Sequence, residues 1–186
     1  MRKALDTVYG AALVGACLAM VTIAVLVLIQ VLGRVIDQGL NGLGMDRLGV
    51  SIPSVAEFGG FLFIAAAFLA LPATLRSAGH VRVTLILRAF GPLGNRVLAA
   101  VVLVIAVGLA GYATWYVILD VLDAYRAGSV SYGQVVVPLW IPKSVMALGL
   151  VIFTVALVDE LVTTLRGDDP AFRAAERVRD GEEGAR

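Results

Sequence analysis

The chain has 186 residues, 60% of them hydrophobic and 16% charged, with 15 Lys and Arg set against 14 Asp and Glu. Its mean hydropathy is +0.92, and its charges sit in short clusters between long uncharged stretches, which excludes an ordinary soluble domain with about a quarter of its residues charged. The single cysteine, Cys17, excludes an internal disulfide, and the single histidine, His80, excludes a bis-histidine haem or a histidine-rich metal site within this chain.

Thr7 to Gly33 contains no charged residue. About 20 apolar residues cross roughly 30 Å of hydrocarbon, so this stretch predicts a first span over residues 8–32. Arg2 and Lys3 precede it, as in a signal peptide, but the apolar run far exceeds the roughly 7 to 15 residues of such a segment. Val14-Gly15-Ala16-Cys17 weakly resembles a lipoprotein cleavage site, yet the apolar run continues past Cys17. The segment therefore reads as a retained helix. Ala11, Gly15 and Ala19 make a small-xxx-small stripe on it, a candidate helix-packing face.

The loop from Gly33 to Ser54 carries Gly39, Gly42, Gly44 and Gly49, which read as turn chemistry, together with Asp37, Asp46 and Arg47. It is long enough to touch a partner outside the membrane. A second span follows over residues 55–75, opened by Glu57 and carrying Pro72 near its end. Glu57 reads first as a carboxylate favoured at a helix N-terminus, and second as a functional ionisable group at the membrane.

The link from Arg76 to Arg96 holds four arginines and no acidic residue. Within it, residues 79–91 are too short to cross a bilayer. As a helix they place His80, Thr84 and Arg88 on one face, with Val83, Ile86, Leu87 and Phe90 on another. A lone strand there would leave its backbone groups unpaired. The segment is expected to be an amphipathic helix in the interface, with Arg76, His80, Arg82 and Arg88 as candidates for lipid headgroups. An ordinary basic link that only sets topology is the plainer alternative.

The third span is predicted over residues 97–119 and the fourth over 139–163, with Pro142 in its first turn and Lys143 reaching the interface. Asp159 and Glu160 are expected at a solvated helix end. Residues 1–165 thus form one membrane domain, followed by a charged, soluble tail over 166–186.

Assigning each Lys and Arg to a side puts eleven with the termini and the middle link, against Arg34, Arg47, Arg126 and Lys143 on the other. The positive-inside rule then predicts an N-in, C-in topology. The fold class is an all-α membrane protein of four transmembrane helices. No Walker loop, HExxH, GxSxG or dinucleotide fingerprint occurs, so no enzyme is expected. The spans also lack the buried charge that an autonomous carrier would need.

Several short motifs, in order and at span boundaries, resemble one family. They are Gln30-Val31-Leu32-Gly33-Arg34 at the end of helix one, Glu57 opening helix two, and Arg76 followed by Gly79-His80-Val81-Arg82-Val83 after it. Pro138-Leu139-Trp140-Ile141-Pro142 leads into helix four. Together they resemble the small membrane subunit of tripartite ATP-independent periplasmic (TRAP) transporters. Thr84 and Val137 depart from the residues frequent in that family at those places.

The resemblance implies a scaffold subunit of a sodium-coupled secondary importer of organic acids in a bacterial inner membrane. Its implied partners are a large multi-helix membrane subunit, a periplasmic substrate-binding protein and membrane lipids, with no nucleic acid. No cofactor or metal is implied on this chain; sodium would belong to the partner subunit, and a bound phospholipid fits the arginine set. Arg34, Asp37, Asp46, Arg47, Glu57 and Arg126 are the candidates for contact with the periplasmic partner. An autonomous homo-oligomeric carrier or lipid-handling protein is the rival, and Glu57 would be its one candidate residue.

Overall fold

The computed structural model of the chain describes residues 2–42, 46, 49, 53–76 and 92–166. They form four helices: α1 Arg2–Gly42, α2 Val55–Arg76, α3 Pro92–Arg126 and α4 Trp140–Arg166. All four are long and apolar enough to cross a membrane, and the described residues contain no strand, only an isolated bridge between Val130 and Pro138. The expected interfacial helix over 79–91 and the tail beyond Arg166 lie outside the described residues.

The helices do not close into a bundle. α1 packs on α2, α2 on α4 and α4 on α3, so the order across the layer is α1–α2–α4–α3. The basal end of the layer is where α1 begins and α4 finishes; the distal end is where α2 and α4 begin.

Each helix stops where its sequence supplies a stop. α1 runs past Arg34 without a proline to halt it and ends at Gly42. α2 starts after a Pro53-Ser54 turn in which Ser54 takes a φ of 58° and its carbonyl accepts from the amides of Glu57 and Phe58 at 3.0 Å each. Pro92 takes the first position of α3, where its missing N–H is no loss. α3 closes in a Schellman motif: Gly128 is left-handed at φ 59°, its amide donates to Tyr125, and the amide of Ser129 donates to Ala124.

The middle joint of the layer is between α2 and α4. Pro72 has no N–H to offer the carbonyl four residues back, at Phe68. Gly149 of α4 lies directly against that carbonyl: a Cβ built there would stand 2.7 Å from the carbonyl carbon and oxygen of Phe68. Only glycine permits that approach. Between α3 and α4, the hydroxyls of Thr114 and Thr154 meet at 3.0 Å. Each also lies within reach of its own i−4 carbonyl, and since a hydroxyl carries one proton, one of the pair donates across the helices while the other keeps its own carbonyl. Such interhelical bonds are an attraction that apolar faces in lipid do not supply.

Candidate functional site

Two polar clusters mark the two ends of the layer. At the basal end, Arg76 closes α2 with its side chain 22% exposed and reaches Asp6 of α1 and, at 3.6 Å, Asp159 of α4. Its guanidinium also stands 4.8 Å from the centre of the Tyr9 ring. One arginine on the second helix thus holds the ends of the first and fourth. Tyr9 is buried, and its hydroxyl meets no hydrogen-bond partner among the described residues. Glu160 is 2% exposed, so the solvated helix end expected at Asp159 and Glu160 is not what forms. Asp159 faces Arg76, and the helix runs on through Thr163 and Thr164, which are buried and return their hydroxyls to the carbonyls of Asp159 and Glu160.

At the distal end, the loop between α3 and α4 is folded on itself and pinned to α2. The Ser131 hydroxyl donates to the Val135 carbonyl and accepts from the Val137 amide, both at 3.1 Å. The Val135 amide donates to the Ser54 hydroxyl at 3.1 Å. Gly133 presses on Glu57, whose carboxyl carbon lies 2.7 Å from where a Cβ would be. Oε2 of Glu57 is buried there without a hydrogen-bond partner among the described residues. The loop leaves Tyr132 and Val136 exposed at its tip. Lys143, in the first turn of α4, donates to Asp120 of α3 at 2.8 Å.

The remaining residues singled out in the sequence are scattered between these clusters. Arg34 and Asp37 share one patch on the distal part of α1, where with Gln38 and Asn41 they line a shallow hollow of about 330 Å³. The Gly49 amide donates to Asp37 at 3.3 Å. Asp46 and Arg126 are exposed, and Arg126 is the last residue of α3. His80, Arg82, Arg88 and Arg47 lie outside the described residues. Of the small stripe on α1, Ala19 is buried and Gly15 faces Leu69 of α2, whose Cδ1 would stand 3.4 Å from a Cβ added there, whereas Ala11 is exposed. An apolar groove of about 480 Å³ runs beside that contact, lined by Cys17, Met20 and Phe63 among others.

Sequence reasoning missed Asp6, Tyr9, Ser54, Ser131, Gly133 and Gly149. Asp6 and Tyr9 carried a readable signal, as a carboxylate and a ring at the same membrane end as Arg76. The two serines and two glycines carried none, because their roles depend on which helices become neighbours.

A family model described as "Tripartite ATP-independent periplasmic transporters, DctQ component" matches residues 23–167, which takes in most of the layer, the distal polar cluster, and Arg76 and Asp159 of the basal one. The chain belongs to this family. No curated protein matches it. As a DctQ component it is the small membrane subunit of a TRAP transporter and a multi-pass membrane protein, and the family is a transporter component.

Proposed function

We propose that this DctQ component is the scaffold subunit of a sodium-coupled importer of organic acids. On this reading it braces a large transport subunit in a bacterial inner membrane and helps a periplasmic binding protein to dock. The observation that carries the reading is the open layer: four helices side by side present two broad faces and two edges, and one layer of helices cannot by itself enclose a path for a polar solute. The basal end is cytoplasmic, in keeping with the arginines of the middle link. The distal end, with Arg34, Asp37, Asp46 and Arg126 and the loop tip at Tyr132, then faces the periplasm.

Glu57 takes a structural part in this account, since it seats the α3–α4 loop on the start of α2. Arg76 is committed to Asp6 and Asp159. Contact with anionic headgroups accordingly falls to His80, Arg82 and Arg88.

Uptake by proteoliposomes tests the proposal. Vesicles holding this chain alone, with or without a sodium gradient, are expected to move no organic acid, and uptake should require the large subunit and the binding protein together. Transport by the chain alone, abolished in Glu57→Gln, would establish an autonomous carrier instead. Charge reversal at Arg82 and Arg88 should weaken assembly in native-like lipid; unchanged assembly and uptake would remove the headgroup role.

A further inference from the structure

We draw no further inference here: the strongest candidate, the exposed tip of the α3–α4 loop at Tyr132 and Val136, belongs to the periplasmic face already described, and nothing in the structure shows what covers it.

Discussion

Gly149 is the residue whose side chain the fold can least accept. Its Cα faces the carbonyl that Pro72 deprives of a helical donor, and a weak Cα–H···O contact of the kind common between close helices suits that place. Gly149→Ala should therefore cost about 1–3 kcal/mol, as overpacking does, read as a lower midpoint of unfolding in mixed micelles. Gly111→Ala, on a helical position with open space around it, should show no loss. Equal behaviour of the two variants would contradict the close α2–α4 approach. At the basal end, Arg76 serves two carboxylates and a ring with one planar group. Arg76→Lys keeps the charge but not the fork or the stacking. It should recover only part of the stability that Arg76→Gln loses, itself about 1–3 kcal/mol for hydrogen bonds to charged groups. Full rescue by lysine would show that charge alone matters there.

At the scale of elements, the sequence marked spans, and the helices are longer. The first apolar window covers about residues 8–32, but α1 occupies Arg2–Gly42. Lipid sets the length of an apolar window, whereas caps and prolines set the length of a helix, and nothing between Arg34 and Gly39 stops this one. α2 ran closest to expectation, because the Pro53-Ser54 turn and Arg76 bound it on both sides. The α3–α4 loop was legible only as a Pro-bounded connection. Its dependence on Ser131 and Ser54 is a product of tertiary contact. Ser131→Ala should free the Val137 amide and the Val135 carbonyl, so hydrogen exchange across Val135 to Val137 should quicken while the helices on either side keep their protection. Unchanged exchange in the loop would mean that the Val130–Pro138 bridge alone holds it.

For the whole molecule, the four spanning helices among the described residues were written in the chain, and so was the family, through short motifs at the span boundaries. The order α1–α2–α4–α3 was not. In lipid, a helix that is apolar all round carries no hydrophobic marker of its inward side; neighbours are chosen by small residues such as Ala16, Ala66 and Gly149, and by the Thr114–Thr154 pair, each too common in apolar spans to be read singly. The candidate site was legible in part for the same reason. Charged residues at the two ends could be named, but their neighbours, Gly133 beside Glu57 and Asp6 and Asp159 beside Arg76, could not.

The central claim is that this layer is one part of a larger transporter. Affinity purification of the tagged chain from its native membrane in mild detergent, followed by mass spectrometry, tests it most directly. The account predicts a stoichiometric partner chain with many more spans than this one, carried along in amounts that survive repeated washing. A lone or self-associated product that transports an organic acid in proteoliposomes would contradict it.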